Sequence, residues 1–391
     1  MKLGLGSVGL VALLVVSAVG QSTYFPPKGT WRTGTPDQTS LDADKLAAAV
    51  AFAKTQGSNT ARDLKTYIKS TLANEPHGEI VGPTRHRGDT NGIIIRNGYV
   101  VAEWGPTRRV DMTFSVSKTY LSTVVGLAVE RRLIKSVDDL ASSYVPTGHF
   151  EEPRNAKITW NHLLRQTSDW RGTLFDKPAW ADRPPRGASL EVMQNQPKRE
   201  PGEAWEYNDV RVNLLALCAT HVWRRPLPQV LRQFVMDPIG ASNTWRWHGY
   251  ETSWITLDGL KVQCVSGGGH WGGGMFISTR DHARFGYLFL RNGRWVSRRI
   301  MSDRWIKAAR TPTKARPTYG YMNWFLNPST TRNGQPHRPM SAAPINSVTF
   351  RGAGSNVVYI DWDNDLLIVA RWVRRNAMNG IVKRVLEAIV K

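Results

Sequence analysis

The spacing of hydrophobic and polar residues along the chain predicts both helices and strands. In the clearest helical stretches, such as 115–133, apolar residues return every three or four positions, which places them on one face of a helix. Predicted helices cover residues 41–54, 61–72, 115–133, 209–223, 278–292 and 379–390. Runs rich in β-branched and aromatic residues, which are typical of strands, cover residues 92–96, 99–104, 319–326, 347–360 and 366–373.

The order of these elements indicates the architecture. Asn97-Gly98 joins the first two strands and is a strong signal for a β-hairpin. Because strands lie towards both ends of the chain and helices lie between them, we expect an α/β (α+β) fold whose antiparallel sheet is built from both chain ends. The predicted sheet region comprises residues 21–115 plus 290–391, and a mainly helical region comprises residues 116–289.

The first twenty residues have the pattern of a secretory signal peptide. Lys2 is followed by the apolar stretch 3–16 and by the small residues Ala18 and Gly20, after which cleavage is predicted. The apolar stretch is shorter than the ~20 residues of a membrane-spanning helix, so an uncleaved anchor is the less favoured alternative. We therefore expect an exported protein, periplasmic or secreted, with no membrane span after cleavage of residues 1–20.

Composition limits the partners of the protein. The 391 residues include 52 Lys and Arg against 31 Asp and Glu, a formal net charge of +21. The basic residues occur as scattered pairs, so we expect a cationic surface and no nucleic-acid partner. The nine histidines show no metal-binding spacing, and we expect neither a metal nor an organic cofactor. Cys218 and Cys264 could pair in an oxidising compartment or remain buried thiols.

The strongest candidate for chemistry is Ser115-Val116-Ser117-Lys118, the one S-x-x-K sequence in the chain. Residues three apart on a helix share a face, so the Lys118 ammonium can reach the Ser115 hydroxyl. The N-terminal end of a helix also favours the anionic forms through which a serine nucleophile passes. A pattern of two common residues arises by chance about once in a chain this long, so its surroundings must support it.

Five segments of the chain supply that support. They are residues 114–119, 136–146, 158–169, 201–209 and 271–281. In this order they resemble the motifs of the serine β-lactamase-related hydrolases, a family that includes class C β-lactamases, DD-peptidases, some esterases and the aminohexanoate-oligomer hydrolases. The resemblance covers roughly residues 90–373. It implies a β-lactamase/transpeptidase-like fold, with the sheet flanked by the N- and C-terminal helices.

The resemblance also implies a set of site residues. Ser115 would be the nucleophile of an acyl-enzyme, with Lys118 and Tyr207 as its proton-transfer pair. The oxyanion hole would be formed by the N–H groups of Ser115 and Ala353. The expected substrate-binding residues are Asp209, Arg351 and Gly352.

Three of these residues have structural alternatives. Tyr207 could fill an aromatic gap beside Trp205. Asp209 could cap the helix that starts beside it, and Gly352 could mark a bulge in an edge strand.

Two departures from the family pattern concern the substrate. Asp209 stands where the family has Asn, and Phe350 stands where the third motif has a cation. An added negative charge and a missing positive charge disfavour substrates that carry a carboxylate. We therefore expect a serine hydrolase for small neutral or amine-bearing esters or amides, more than a true β-lactamase. The alternative is a catalytically inert binding module of the cell envelope.

Overall fold

The structure is a computed structural model that describes residues 23–146 and 148–390. The signal peptide predicted for residues 1–20 lies outside the described residues, so the exported location stays a prediction. Within the described ranges, none of the helices has the length and apolar character that a bilayer span requires.

Helices and strands both occur along the whole described chain. The helices are α1 Pro36–Thr39, α2 Ala43–Thr55, α3 Leu64–Thr71, α4 Ser117–Glu130, α5 Trp160–Arg165, α6 Leu190–Gln194, α7 Asp209–Trp223, α8 Leu227–Leu231, α9 Thr279–Leu290, α10 Asp303–Ala309 and α11 Ala377–Glu387. The strands are β1 Asn91–Arg96, β2 Tyr99–Trp104, β3 Asp111–Met112, β4 Thr173–Leu174, β5 Lys177–Pro178, β6 Arg246–Leu257, β7 Leu260–Val265, β8 Gly274–Ile277, β9 Arg294–Trp295, β10 Arg298–Arg299, β11 Phe325–Leu326, β12 Thr330–Arg332, β13 Gln335–His337, β14 Val348–Gly352, β15 Asn356–Asp361 and β16 Leu366–Arg371.

The largest sheet has six antiparallel strands in the order β11-β14-β15-β16-β1-β2. Its first hairpin turns at Asn97 and Gly98, whose φ angles of 50° and 88° suit the tight turn between two twisted strands. Strand β1 pairs with β16, so the two ends of the chain meet in the middle of the sheet. The predicted antiparallel sheet built from both chain ends is confirmed.

Helices cover both faces of this sheet. The N-terminal helix α2 and the C-terminal helix α11 pack on one face, where Ala49, Ala53 and Ile381 join the same apolar cluster as Ile368 of β16. Helix α9 covers the other face and packs on β15 and β16. All six residues of β16 are therefore buried, and an inner strand with two covered faces shows a continuous apolar run.

The middle of the chain contains strands that the hydrophobic pattern did not predict. Helix α7 has the predicted bounds, but β6 and β7 form a long hairpin at Asp258-Gly259 within the region expected to be mainly helical. The register of this hairpin shifts between Gly249 and Trp254, which breaks the alternation that identifies a strand. Together with β3 and β8 the hairpin forms a second sheet.

Two late strand predictions also need correction. Of residues 319–326, only Phe325–Leu326 pair as a strand, because the preceding residues form turns. Residues 347–360 contain two strands, β14 and β15, which are joined by a turn after Gly352.

Candidate active site

The chain enters α4 through a tight turn that presents Ser115. Phe114 has a φ of 50°, a left-handed conformation that is rare for a bulky residue, and a short 3₁₀ turn, Phe114–Val116, precedes the helix. Ser115 is half-buried, and its Oγ accepts a hydrogen bond of 3.0 Å from Lys118 Nζ. Ser117 points elsewhere, since its Oγ accepts the Met275 N–H at 2.8 Å.

Lys118 lies at the centre of the site with a fully buried side chain. Its Nζ is 3.0 Å from Ser115 Oγ, 2.8 Å from Asp209 Oδ1 and 4.6 Å from the centre of the Tyr207 ring. Burial lowers the pKa of Lys118, and the Asp209 carboxylate opposes that effect. Gly268 leaves room for this pair, because a Cβ there would overlap both Asp209 Oδ1 and Lys118 Nζ.

Tyr207 is held from both sides by Gln166. The Glu206 N–H donates to the Gln166 carbonyl oxygen at 3.0 Å, and the Asn208 N–H donates to Gln166 Oε1 at 2.8 Å. Burial raises the pKa of Tyr207, with Asp209 adding to the rise and contacts with Arg183 and Ser115 opposing it. The phenol is therefore protonated at neutral pH and can donate a proton.

Asp209 is placed behind Lys118 rather than at the surface of the site. Its side chain is 1% exposed; Oδ1 lies 2.8 Å from Lys118 Nζ, and Oδ2 lies 2.7 Å from a guanidinium nitrogen of Arg183. Burial alone would raise the pKa of Asp209, but Lys118 and Arg183 outweigh it and hold the pKa well below its usual value. The position of Asp209 supports a role as the ion-pair partner of Lys118 and Arg183. Its carboxylate is too deeply buried to contact a substrate directly.

Asp209 is also not the cap of α7. The side chain of Asn208 accepts the Arg211 N–H at 3.1 Å and supplies the cap. The Asp209 N–H donates instead to the Asp182 carboxylate.

Arg183 is a residue that the sequence analysis missed. Its side chain is 34% exposed, and its guanidinium lies 5.2 Å from the centre of the Tyr207 ring. It also forms an ion pair with Asp182 at 2.5 Å and approaches His270 Nδ1 at 2.9 Å. Arg183 therefore supplies a second cation beside Asp209, in a Pro- and Arg-rich loop that has no periodic signal.

Within the described residues, Glu75, Asp182 and His270 are the one group of side chains close enough to share a metal ion, with ligand atoms within 4.8 Å of one another. His270 Nε2 lies 2.8 Å from Glu75 and 3.3 Å from Asp182. Arg183 already places a positive charge against this group. We therefore treat the three residues as part of the charge network around Asp209.

Strand β14 ends beside the turn that carries Ser115. A Cβ on Gly352 would overlap the Thr113 carbonyl oxygen and lie 3.4 Å from Ser115 N, so only glycine permits this approach. Ala353 follows and is exposed. Phe350, which the sequence analysis placed at the cation position of the third motif, is instead fully buried in the core.

Arg351, in contrast, lines a cavity of about 960 Å³. Gly352, Ala353 and two further arginines, Arg338 and Arg375, line the same cavity. No Asp or Glu is among the described residues that line it. The cavity next to the predicted oxyanion donor is thus cationic.

Asp169 organises a separate cluster of charged side chains. Its carboxylate lies within 3.6 Å of guanidinium nitrogens of four arginines, namely Arg154, Arg171, Arg199 and Arg211. Although burial opposes it, this cluster and the Arg199 N–H lower the pKa of Asp169. Arg199 and Arg211 also contact Glu206, so the cluster supports the segment that carries Tyr207.

For the two cysteines, the sequence left open either a disulfide or two buried thiols. Cys218 and Cys264 are both buried free thiols. Burial raises the pKa of each, which makes both poor nucleophiles.

The chain is similar to known proteins in sequence and in fold. A family model described as Beta-lactamase matches residues 84–380. An uncharacterised protein of Alkalihalophilus pseudofirmus is 24% identical over 278 residues, which cover 62% of this chain and 72% of that protein.

Two solved structures share the fold at low sequence identity. One is a beta-lactamase/D-alanine carboxypeptidase from Pseudomonas syringae, with a TM-score of 0.55, 17% identity, and coverage of 87% of this chain and 99% of that chain. The other is a candidate 6-aminohexanoate-dimer hydrolase from Bacillus anthracis, with a TM-score of 0.56, 14% identity, and coverage of 94% of this chain and 89% of that chain. The expected β-lactamase/transpeptidase-like fold is confirmed.

Proposed function

This chain belongs to the beta-lactamase family of serine hydrolases, and on that premise we propose that it cleaves a small ester or amide through an acyl-enzyme on Ser115. The observation that carries the proposal is the position of Lys118. One buried amine lies 3.0 Å from the Ser115 hydroxyl and 4.6 Å from the Tyr207 ring centre. A binding module needs no such arrangement of nucleophile, amine and phenol.

The first proton transfer uses Lys118 as the base. Burial lowers the pKa of this amine, which increases the fraction of the neutral form that can accept the Ser115 proton. Ser115 Oγ then attacks the carbonyl carbon of the substrate. The tetrahedral oxygen binds the N–H groups of Ser115 and Ala353, which the close approach at Gly352 brings to one edge of the site.

Tyr207 completes the cycle as the acid. Its raised pKa keeps the phenol protonated, so it donates a proton to the leaving oxygen or nitrogen and recovers one from Lys118. Water then attacks the acyl-enzyme by the reverse sequence of proton transfers, which releases the acid product and Ser115. Each step uses only protons that the substrate, the water and these three side chains supply.

The charges around the site change the substrate class that we propose. The preference for neutral substrates rested on an added negative charge at Asp209 and on a missing cation in the third motif. Instead Asp209 is paired with Lys118 and Arg183, and Arg351 faces a cavity with two more arginines. The proposed substrate class therefore includes neutral esters and amides and also those that carry an anionic group on the side facing this cavity.

Intact-mass analysis distinguishes this function from an inert binding module. The protein is incubated with a fluorophosphonate, an activated ester and a penicillin, in parallel with Ser115→Ala. The proposal expects a covalent adduct on the wild type with at least one of these reagents and none on Ser115→Ala. A wild-type protein that forms no adduct and turns over no ester would instead support the binding module.

A further inference from the structure

We propose that Asn323 is a positioning residue that fixes the distance between the two halves of the oxyanion hole. This inference rests on the proposed function of Ser115. The Asn323 Nδ2 donates to the carbonyl oxygen of Ser115 and, at 2.7 Å, to that of Arg351. Its Oδ1 accepts the Arg351 N–H at 2.6 Å. One side chain thus ties the nucleophile turn to strand β14 directly before Gly352 and Ala353.

The surroundings of Asn323 hold its amide in one orientation. The side chain is fully buried, and the backbone has a φ of 65°, a conformation that Asn tolerates better than most residues. Its own N–H donates to the Tyr319 hydroxyl at 2.8 Å, and the same hydroxyl accepts Gln166 Nε2 at 3.0 Å. Because Gln166 also holds the backbone around Tyr207, one hydrogen-bonded chain connects the segment that carries Tyr207, the turn at Ser115 and β14.

This arrangement matters because oxyanion stabilisation depends on the exact separation of two N–H donors. The Ser115 and Ala353 donors belong to different elements, and the Asn323 side chain bonds both elements next to those donors. Loss of the side chain would let β14 and the turn move apart, and displacements of about 1 Å at a reacting centre can slow a reaction about 10²-fold. We expect the defect in the chemical step, with little effect on binding of the ground-state substrate.

Asn323→Gly tests this inference, since glycine tolerates the positive φ and removes only the side chain. Asn323→Asp is the second variant, because it keeps the shape and the acceptor for the Arg351 N–H but removes both donated hydrogen bonds. The matched control is Asn155→Ala. Asn155 binds Arg171 in the same manner, donating to its carbonyl oxygen at 2.8 Å and accepting its N–H at 3.2 Å, away from Ser115.

Four quantities are measured for each folded variant: the melting temperature, the second-order rate of labelling by a fluorophosphonate, and kcat and KM for a neutral activated ester. Both Asn323 variants are expected to label about 10²-fold more slowly than the wild type, with kcat reduced and KM changed by less than about threefold. Asn155→Ala is expected to lower the melting temperature but to keep labelling within about threefold.

The outcomes separate this inference from the function on which it rests. If the Asn323 variants label as fast as Asn155→Ala, or if their loss lies wholly in KM, the positioning role is wrong while Ser115 remains the nucleophile. If Ser115→Ala labels as fast as the wild type, the proposed function is wrong and this inference falls with it.

Discussion

Lys118 and Asp209 form an ion pair of 2.8 Å whose two side chains are 0% and 1% exposed. The pair joins the first turn of α4 to the first residue of α7. A buried charge that loses its partner is strongly unfavourable, so the ionisation of either residue depends on the other. In the proposed mechanism, Asp209 acts on the reaction through the pKa of Lys118.

Asp209→Asn is expected to shift the pH profile of activity towards lower pH. The Asp209 carboxylate raises the pKa of Lys118 against the lowering effect of burial. With a neutral amide in its place the amine loses its proton at lower pH, and kcat/KM, which rises as Lys118 becomes neutral, reaches its plateau earlier. The measurement is kcat/KM for a neutral ester across pH. A profile that does not move, or that moves to higher pH, would contradict the assignment of Lys118 as the base.

Gly268→Ala is expected to lower kcat/KM by about 10²-fold or more. The new methyl group would overlap Asp209 Oδ1 and Lys118 Nζ, so the amine must leave its position beside Ser115. Gly148→Ala is the control, because a Cβ there meets its nearest atom, Glu151 Oε1, at an ordinary 3.4 Å. Equal activity of the two variants would show that the Lys118 position is not critical.

Lys118 and Tyr207 are expected to behave as one unit. Groups that transfer the same proton give strongly non-additive losses, and Lys118 Nζ lies 4.6 Å from the Tyr207 ring centre. The double variant Lys118→Ala with Tyr207→Phe should therefore be scarcely slower than the worse single variant. Losses in log kcat/KM that simply add would assign Tyr207 a role separate from Lys118.

Arg351→Gln is expected to reduce selectivity for an anionic ester. Two esters that differ only by a carboxylate or an uncharged amide on one substituent are compared. A hydrogen bond to a charged group contributes about 1.5–3 kcal/mol, so the ratio of kcat/KM values should fall roughly tenfold or more in the variant. Arg224→Gln, an exposed arginine that pairs with Asp258 outside the cavity, should leave the ratio unchanged. If Arg351→Gln also leaves it unchanged, the cationic cavity does not bind the substrate.

Local signals in the sequence were sufficient for much of the fold. The Asn97-Gly98 hairpin and helix α7 were predicted because turn chemistry and helical periodicity act over short distances. The hairpin of β6 and β7 was missed, although Asp258-Gly259 is itself a turn signal, because the irregular pairing after Gly249 hides the strand alternation.

The same distinction between local and long-range signals applies to the residues of the candidate site. Ser115 and Lys118 were identifiable because they lie only three residues apart, at the entry to α4. Arg183 and Asn323 were not, since each acts on residues far away in the sequence: Arg183 on Asp209, and Asn323 on Ser115. Loops that are positioned by tertiary contacts carry no periodicity from which such contacts could be predicted.

The acyl-enzyme itself provides the most direct test of the account. The protein is mixed with an activated ester, quenched in acid within the first turnover, digested and analysed by mass spectrometry. The account predicts an acyl group on the peptide that contains Ser115, assigned to Ser115 rather than Ser117 by fragmentation, and its absence from Ser115→Ala. Turnover that continues in Ser115→Ala, or an acyl group found on another residue, would contradict the account.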